Sequence, residues 1–546
     1  MKLKKNTFIQ GAFIATLGIV ISKILGIIYV IPFYAIIGDQ GGALYGYAYN
    51  IYSIFLGISQ AGLPLAMSKL ISEYNTLGFY ETKERVYKVG KTFLNILGII
   101  CFLTLFIFAP VIADAIIGGV TDGNTPEDIV FVIRIISTAI LVVPILSVSR
   151  GYLQGHKFIS PTPVSQVIEQ VVRVIIIVIG SYLMLKVFHL PLRTAVGCAV
   201  FAATIGAVCS YLYIHTKIKQ NKDQLVLKSK KKEPKITTKQ ILKKLIFYSV
   251  PFVMIDLFRS LYNSIDVMML VKTLVNSFGY ATKDAETVMS VISTWGLKLN
   301  MIIISIVSGM MTSLIPNLTS SFVSNDMKDV NKKINQTFQV ILCLALPMTI
   351  GLSFVTTPVW NVFYGASTYG PITYRLLVFV AFATTLFTAT TTTMQILKEY
   401  KMVFVTLVIG FLVKFTLNIP LMHIFNSIGI YPFYGAITAT ILGFLTSALI
   451  STIHMKRKFK LEYKSTFKQL KHIIIGVILM LGVMFLATFI IPLKVNSRVL
   501  SLIIALVYAI IGGTVYLIYT YKTKTLENVF GEELFNKIKK KLKIKK

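Results

Sequence analysis

The sequence predicts an all-α integral membrane protein with about fourteen transmembrane helices. Two observations lead to this fold class. Of the 546 residues, 55% are hydrophobic and only 14% are charged, against about 25% charged in a typical soluble domain. The apolar residues also come in runs of about 20 or more, the length that crosses a bilayer as a helix. A soluble fold has too few polar residues here to cover such a core.

Fourteen apolar runs are suitable for membrane helices. The first begins a few residues after Met1 and is too long for the apolar part of a signal peptide, so we expect it to be retained as a helix. The runs cover residues 8–37, 43–71, 92–118, 128–149, 161–186, 194–216, 241–271, 288–318, 336–363, 373–396, 402–423, 432–454, 472–492 and 498–521.

The distribution of Lys and Arg predicts which side of the membrane each loop faces. If the N-terminus is cytoplasmic, the inside segments carry 41 of these residues and the outside segments carry 7. Cytoplasmic loops normally hold the excess of Lys and Arg. We therefore expect a multi-pass protein of the cell (cytoplasmic) membrane with both termini cytoplasmic.

An internal repeat predicts two lobes. Seven residues around 83–97 recur at a constant offset of 245 residues. They are Lys83-Glu84, Lys88-Val89, Thr92-Phe93 and Leu97, repeated as Lys328-Asp329, Lys333-Ile334, Thr337-Phe338 and Leu342. Each copy follows an even-numbered predicted helix, so we expect two six-helix lobes related by a pseudo-two-fold axis along the membrane normal.

The repeat and the basic segments divide the chain into five predicted parts. These are an N-lobe at 1–218, a basic cytoplasmic linker at 219–240, a C-lobe at 241–456, two extra C-terminal helices at 457–521 and a basic cytoplasmic tail at 522–546. Paired repeats of this kind are typical of transporters that work by alternating access, with the substrate site between the lobes. A duplicated scaffold without transport is the alternative.

Three lysines inside predicted helices are the first candidate site residues. Lys23, Lys298 and Lys414 have no acidic residue one turn away, although an ionisable residue in a membrane helix costs about 2.5–3.5 kcal/mol. In a shared cavity, such cations would hold a phosphate or pyrophosphate by charge-assisted hydrogen bonds. The alternative is that each pairs across a helix interface with Asp256 or Asp266.

The other embedded charges have local explanations as well as functional ones. Glu169 and Arg173 are four residues apart, and Asp256 and Arg259 are three apart, spacings that place both partners on one helix face. Each pair is therefore either a structural ion pair or part of a site.

Two further embedded charges have no oppositely charged residue at such a spacing in their own helix. Arg134, near a helix end, either reaches the interface or binds substrate. Asp266 is the alternative site for a coupling ion, Na⁺ or H⁺. The substrate-binding candidates are thus Lys23, Lys298, Lys414, Arg134 and Arg259. The candidates for ion coupling or structural pairing are Asp266, Asp256, Glu169 and Arg173.

The motifs of other protein classes are missing from the sequence. Gly90-Lys91-Thr92 lacks the upstream glycine of a P-loop, since position 85 is Arg. The six His residues have no metal-ligand spacing, and there is no GxSxG nucleophile motif. We expect no enzyme activity, no cofactor and no metal. The net charge of +33 lies in loops and the tail without interleaved aromatic residues, so nucleic-acid binding is not expected.

Three stretches of the sequence carry a family resemblance. They read ISKILGIIYVIPFYAIIGD at 21–39, AGLPLAMSKLISEYN at 61–75, and RGYLQG followed by SPTPVSQVIEQVVRV within 150–174. They resemble the polysaccharide-transporter branch of the multidrug/oligosaccharidyl-lipid/polysaccharide exporter superfamily. That branch includes stage V sporulation protein B, YtgP-type proteins and MurJ-type lipid II flippases. The resemblance extends over the first twelve predicted helices, and a total of fourteen suits MurJ-like members.

The resemblance implies a V-shaped, two-lobed fold with a central cationic cavity and a lipid-pyrophosphate sugar as cargo. Lys23 matches a basic residue that the family carries in its first helix, and Lys298 stands where the family has an essential Arg in helix 8. Lys in place of Arg keeps the charge but loses the bidentate fork for phosphate. Val30 stands where the family often has Arg in Tyr-Arg-Ile-Pro, so that cation is absent.

Together these features predict a flippase. We expect it to carry an undecaprenyl-pyrophosphate-linked saccharide, with lipid II for peptidoglycan synthesis as the leading cargo, from the inner to the outer leaflet. Its partners would be the lipid-linked oligosaccharide and membrane lipids, and it would function as a monomer. The lipid tail would lie along a groove at the last two helices, and an ion gradient or the membrane potential would drive transport.

Three alternatives remain from the sequence. An ion-coupled drug or cation antiporter of the same superfamily would line its cavity with acids rather than cations. An exporter of another lipid-linked polysaccharide unit would differ in cargo alone. A membrane scaffold for cell-wall synthesis would not transport at all.

Overall fold

The computed structural model describes Ser22, Leu25, Gly26 and residues 28–530, apart from 61–62, 121, 159, 227–232, 234–235 and 496. Throughout this part of the chain the regular structure is helical and no strand occurs, which confirms the all-α fold class. Lys23 lies outside the described residues.

Eleven helical segments in the described part are long and apolar enough to cross a membrane, and they identify a multi-pass membrane protein. They correspond to eleven of the fourteen predicted runs; the first, second and seventh runs have no counterpart among them. The exact number of fourteen stays a prediction. The first two runs meet inside one helix, which bends at Gly38, where φ is +64°.

The chain divides into two compact units, Met1–Trp295 and Gly296–Lys546. The helices of the first unit are α1 (Val30–Gln60), α2 (Leu63–Leu77), α3 (Tyr80–Ile117), α4 (Pro126–Ser137), α5 (Ala139–Gly155), α6 (Pro161–Ile175), α7 (Leu192–Gln220), α8 (Lys222–Leu225), α9 (Thr238–Phe278) and α10 (Thr282–Ser290). Three π-helical segments, Ile176–Gly180, Leu183–Val187 and Val291–Trp295, follow α6 and α10.

Local sequence signals explain where several of these helices begin and end. Thr125 and Asp128 form a capping box before α4, and Thr237 and Gln240 form one before α9. In each, a side chain accepts a backbone N–H that the first helical turn leaves without a partner. Gly279, with φ +70°, ends α9 in the left-handed conformation that glycine adopts without strain.

The second unit contains the remaining helices. They are α11 (Gly296–Val323), α12 (Met327–Phe354), α13 (Thr356–Tyr364), α14 (Gly370–Ile396), α15 (Tyr400–Ser427), α16 (Phe433–Phe459), α17 (Lys464–Ala487), α18 (Arg498–Lys522) and α19 (Thr525–Phe530). The last two long helices, α17 and α18, pack on α12, where the Tyr516 hydroxyl donates to the Cys343 carbonyl at 2.8 Å.

Two residues inside the basic linker predicted at 219–240 contact the first unit. Glu233 accepts the backbone N–H groups of Glu81 and Thr82 at 3.0 and 2.7 Å, at the positive end of the α3 dipole. Lys83 donates to the Leu225 carbonyl at 2.5 Å. These two points of the linker are therefore held at the start of α3.

The division between the units falls later in the chain than the lobe boundary that the repeat predicts. Helices α9 and α10, which the repeat assigns to the C-lobe, belong to the first compact unit. There, α9 approaches α1 at Gly57, where an added Cβ would lie 3.6 Å from the backbone of Asp256. The assignment of lobes stays a prediction, and the contacts of α10 with α1 bear on how the lobes would separate.

Candidate functional site

Arg150 is the centre of a buried polar network in the first unit. Its Nη2 lies 2.9 Å from Glu169 Oε2 on α6 and donates to Ser210 Oγ on α7 at 2.8 Å. Its Nε donates to Ser165 Oγ, also at 2.8 Å. One guanidinium, only 6% exposed, therefore joins α5, α6 and α7.

This network changes the interpretation of Glu169 and Arg173. The expected pair within α6 is not formed, because Glu169 points to Arg150 instead. Arg173 lies one turn further along α6, with its guanidinium carbon 5.8 Å from the ring centre of Tyr49 on α1. Its Nε is buried, and no described residue accepts a hydrogen bond from it.

Tyrosines of α1 surround the Arg173 guanidinium. The rings of Tyr45 and Tyr49 lie 4.4 Å apart, and those of Tyr49 and Tyr52 lie 5.9 Å apart. The Tyr49 hydroxyl is buried. We call Arg173, Tyr45, Tyr49 and Tyr52 the Arg173 cluster. It combines a planar cation, held by an aromatic face, with a hydroxyl donor, an arrangement suited to an anionic oxygen.

Arg134 on α4 has a structural partner on α3. Pro110 lacks an N–H group, so the carbonyl of Phe106, four residues before it, loses its helical hydrogen bond. Arg134 Nε donates to this carbonyl at 3.4 Å, and its guanidinium lies 4.9 Å from the Phe106 ring centre. The contact favours the structural interpretation of Arg134 over substrate binding.

Lys298 and Lys414 both belong to the second unit. Lys298 is partly buried near the start of α11. Asn300, about 200° further around that helix, donates to the Leu377 carbonyl of α14 at 3.1 Å. Lys298 therefore lies on a different face of α11 from the one that Asn300 turns to α14.

Lys414 on α15 is fully buried. It lies between two close contacts of α15 with α16. One is the 2.7 Å hydrogen bond from Ser447 to the Thr406 carbonyl, and the other is the contact of Gly435 with Met422. Asn418, one turn from Lys414, is also fully buried, and both its amide atoms lack hydrogen-bond partners in the described part of the chain. The two residues form an internal polar position rather than an open surface.

The remaining candidates lie on α9 in the first unit. Asp256 is partly buried and Asp266 is 5% exposed. The side chain of Arg259 lies outside the described part, as Lys23 does. The structure therefore brings Glu169 and Arg173 together with residues that the sequence does not predict as site residues.

An apolar cavity in the second unit lies between α12 and the pair α17 and α18. Its volume is about 370 Å³. The side chains that define it include Leu344, Met348, Met480, Met484 and Tyr508. Because the lining is almost entirely hydrocarbon and thioether, the cavity suits an alkyl chain rather than a polar group.

Sequence reasoning does not find Arg150 as a functional residue. In the sequence it is only the first residue of the RGYLQG stretch, at a predicted helix end. Its partner Glu169 is 19 residues away on another helix, so no helical spacing signals the pair. The only sequence signal is the excess of polar residues in the stretch 160–169 that follows.

The sequence comparisons identify the family. Residues 8–322 match the family described as polysaccharide biosynthesis protein. The chain is also 35% identical to the lipid II flippase MurJ of Bacillus subtilis (strain 168) over 540 residues, which cover 97% of this chain and 98% of that protein.

Solved structures show the same fold. One is a lipid II flippase MurJ in an inward closed conformation, with a TM-score of 0.69 and 17% identity over 94% of this chain and 99% of the other. Another is an inward-facing multidrug resistance MATE family transporter of the MOP superfamily, with a TM-score of 0.62 and 13% identity over 82% and 98% of the two chains. The resemblance predicted from three short stretches is confirmed, and this chain belongs to the polysaccharide biosynthesis protein family.

Proposed function

We propose that this protein is a flippase that moves an undecaprenyl-pyrophosphate-linked saccharide from the inner to the outer leaflet, with lipid II as the leading cargo. The observation that carries the proposal is the 35% identity to a lipid II flippase over nearly the whole of both chains. The fold likeness to transporters is consistent with it. No step of this function requires a chemical reaction or a cofactor.

The Arg173 cluster supports an anionic cargo. Its guanidinium has a fork of N–H groups that matches two phosphate oxygens, and Tyr49 offers a hydroxyl donor beside it. A cation in a membrane helix is a functional candidate by default, because it is costly to place there. We add Arg173 and Tyr49 to Lys23 and Lys298 as proposed contacts of the pyrophosphate, and keep Lys414, Arg134 and Arg259 as lower-ranked candidates.

The apolar cavity supports a lipid-linked cargo. It lies at α17 and α18, the two helices outside the internal repeat, where the sequence predicts a groove for the lipid tail. In this proposal the tail stays in apolar surroundings while the polar headgroup crosses. Burying one CH₂ group is favourable by about 0.8 kcal/mol, so a long tail strongly prefers such surroundings to water.

The direction and drive of transport follow from the sequence predictions. We propose that both termini are cytoplasmic, that the protein acts as a monomer in the cell membrane, and that an ion gradient or the membrane potential drives the cycle. A potential of 100 mV contributes about 2.3 kcal/mol per charge moved. Na⁺ and H⁺ are the candidate coupling ions, with Asp266 and Asp256 as the acids that the sequence singles out.

A drug or cation antiporter is a weaker alternative. It shares the fold, as the MATE likeness shows, but the described helices of the first unit place a cation, Arg173, beside tyrosines. An organic cation would be repelled there. Export of another lipid-linked saccharide remains open, since it requires the same pyrophosphate contacts.

The proposal is tested by depleting the cell's own lipid II flippases and supplying this chain. An enzyme that cannot cross the membrane, and that cleaves lipid II only at the outer face, reports transport. We expect the wild-type chain to restore cleavage and Arg173→Gln to reduce it at least about tenfold, the effect of losing about 1.4 kcal/mol. Arg457→Gln, at an exposed position on α16, is the matched control. No cleavage with the wild-type chain, inserted normally, would contradict the proposal.

A further inference from the structure

A buried carboxyl group joins three segments of the first unit. Glu286 on α10 is fully buried. Its Oε1 accepts the backbone N–H of Asn124 at 3.0 Å and the Asn124 side-chain Nδ2 at 2.8 Å. The same Nδ2 also donates to the Gln40 carbonyl at 3.0 Å. Glu286 therefore connects α10, the loop 118–125 and α1.

The loop backbone lies directly against this carboxyl group. A Cβ added at Gly123 would come within 2.6 Å of Thr282 Cγ2 and 2.9 Å of Glu286 Oε2. Oε2 is buried, and no described residue forms a hydrogen bond with it. The contact leaves no room for a side chain and leaves one carboxyl oxygen without a hydrogen bond.

A second acid reinforces the contact one turn further along α10. Asp39 on α1 accepts from the Ser290 hydroxyl at 3.3 Å and from the Tyr34 hydroxyl at 3.2 Å. Beyond it, Thr294 Oγ1 donates to the Gly42 carbonyl at 2.9 Å. We call Glu286, Asn124, Asp39 and Ser290 the latch.

We propose that Glu286 is a proton-binding residue that locks these three segments together. It takes up a proton from water when α10 closes on the loop 118–125, and it returns that proton to water when they separate. For its place in a transport cycle the inference rests on the proposed function, and it makes the closing of the latch dependent on pH. The latch itself does not depend on the cargo.

The repeat in the sequence explains why the latch must open. Helix α10 belongs to the predicted C-lobe, whereas α1 and the loop 118–125 belong to the predicted N-lobe. If the lobes rock during transport, the bonds of Asn124 and Ser290 to the two acids are broken in every cycle. Glu286 then passes from a fully buried position into water.

The two protonation states of Glu286 differ in how well they tolerate burial. A charged carboxylate with an unpartnered oxygen is far more costly to bury than a neutral acid. In water the charge is hydrated and the cost disappears. A residue that binds a proton more tightly in the closed form links closing to proton uptake.

The surrounding charges do not offset the negative charge of an ionised Glu286. Asp128 on α4 is near enough to act on it, but this acid lies 3.6 Å from Arg193 on α7. The other titratable or charged groups of the surrounding elements include Asp39 and Tyr47 on α1, Asp122 in the loop 118–125, Asp114 on α3, Lys272 on α9, whose ammonium donates to the Asp114 carbonyl, and Lys283 and Asp284 on α10.

Opening of the latch is measured by thiol labelling of the full chain in lipid nanodiscs, without any lipid II. Ser290→Cys places a thiol at a position that is fully buried in the closed latch, in a background with the four native cysteines replaced. A water-soluble maleimide labels it when α10 separates from α1. Lys283→Cys, exposed on the same helix, corrects for the effect of pH on thiol reactivity.

We expect corrected labelling of Ser290→Cys to rise between pH 6 and pH 8, by up to about tenfold per pH unit for a single linked proton. With Glu286→Gln, which mimics the neutral acid, labelling should be slow and independent of pH. Asp284→Asn, a neighbouring acid on α10, should leave the pH profile unchanged. If Glu286→Gln does not fold, Asn124→Ala is used instead. In that background the Ser290→Cys thiol should be labelled several-fold faster at pH 6 than in the protein with Asn124 intact.

Three results would overturn the inference: an unchanged pH profile in Glu286→Gln, labelling that follows Na⁺ rather than pH, or a flat profile in the protein with Glu286 intact. Failure of the proposed cargo is a separate result. It would appear as missing lipid II transport while the pH-dependent labelling persists.

Discussion

Arg150 Nη2 lies 2.9 Å from Glu169 Oε2, so the acid closest in sequence to Arg173 forms its ion pair with a different arginine. The pair also fixes three helices, since Arg150 reaches Ser165 and Ser210 as well. Arg173 is left beside Tyr49. The same contact therefore stabilises the bundle and keeps a cation available next to α1.

Arg150→Met should strongly destabilise the protein. It leaves a carboxylate and two hydroxyl groups without their buried donor, and removing one partner of a buried pair typically costs about 3–5 kcal/mol. Thermal unfolding in detergent measures the loss. Arg193→Met is the control, because Arg193 is 46% exposed and lies 3.6 Å from Asp128; such a pair contributes at most about 1 kcal/mol. Equal losses in the two variants would contradict the role of the network.

Tyr49→Phe should reduce transport without reducing stability. The ring stays 5.8 Å from the Arg173 guanidinium carbon, but the buried hydroxyl is lost as a donor to the cargo. A hydrogen bond of about 1–1.5 kcal/mol corresponds to an about five- to thirteenfold fall in the outer-leaflet cleavage assay. Transport by Tyr49→Leu, which also lacks the aromatic ring, should be lower still.

The control for the Tyr49 variants is Tyr182→Phe, at a position that is 51% exposed, and transport should be unchanged there. Wild-type transport in both Tyr49→Phe and Tyr49→Leu would remove this residue from the proposed site. A loss of transport that tracks a lower unfolding temperature would indicate a structural role instead.

The effects of Arg134 and Pro110 on stability should depend on each other. Pro110→Ala restores the N–H group that the Phe106 carbonyl lacks, so the hydrogen bond from Arg134 Nε becomes dispensable. Arg134→Met should cost about 1 kcal/mol in the natural sequence and clearly less in the Pro110→Ala background. The measurement is a double-mutant cycle of thermal unfolding.

If the stability changes of the two substitutions add to within about 0.5 kcal/mol, the hydrogen bond from Arg134 to the Phe106 carbonyl does not compensate for Pro110. Transport separates the remaining possibilities. If Arg134→Met abolished cargo movement while unfolding stayed unchanged, Arg134 would again be a candidate substrate contact.

The membrane helices are predictable from the sequence because a bilayer requires long apolar segments with internally satisfied backbone groups. The start of α10 cannot be predicted in this way, because its first turn is polar. The eighth apolar run, 288–318, leaves Glu286 in a predicted outside loop, whereas the helix begins at Thr282 and buries that residue. Hydropathy marks the first apolar residue of a helix, not its polar first turn.

The candidate site is less predictable than the fold. Spacing along one helix suggests that Glu169 pairs with Arg173, but the partner comes from another helix, and such pairings depend on how helices pack. The family resemblance succeeds for a different reason. Short stretches such as 150–174 include residues, among them Arg150, Ser165 and Glu169, that hold α5 and α6 together.

Gly435→Ala should destabilise the second unit. A Cβ at this position would lie 2.3 Å from the Met422 backbone nitrogen and 2.4 Å from the Leu421 carbonyl carbon, so α15 and α16 would have to move apart. Overpacking of this kind costs about 1–3 kcal/mol. Gly482→Ala on α17 is the matched control, because no described atom lies within 4 Å of the place that its Cβ would take. Gly482→Ala should gain about 0.5–1 kcal/mol of stability from helix propensity. A loss of stability in both variants would mean that the close contact of α15 with α16 is not the cause.

Glu399 should give the protein a component of stability that is lost in acid. Burial opposes its ionisation, but hydrogen bonds with Lys458 at 2.5 Å and His454 at 3.0 Å outweigh burial and lower the pKa of Glu399 below its ordinary value of 4.5. A carboxyl group whose pKa is lower in the folded state stabilises the fold above the unfolded value and loses this contribution as the pH falls through the folded value.

Thermal unfolding of the wild-type chain and of Glu399→Gln should therefore converge below about pH 4. Above about pH 5 the wild type should be more stable, by less than about 1 kcal/mol because Lys458 is half exposed. Glu462→Gln, an exposed acid near the end of α16, should follow the wild-type profile. A constant difference between wild type and Glu399→Gln across this range would mean that the carboxylate charge of Glu399 does not hold α16 to the α14–α15 loop.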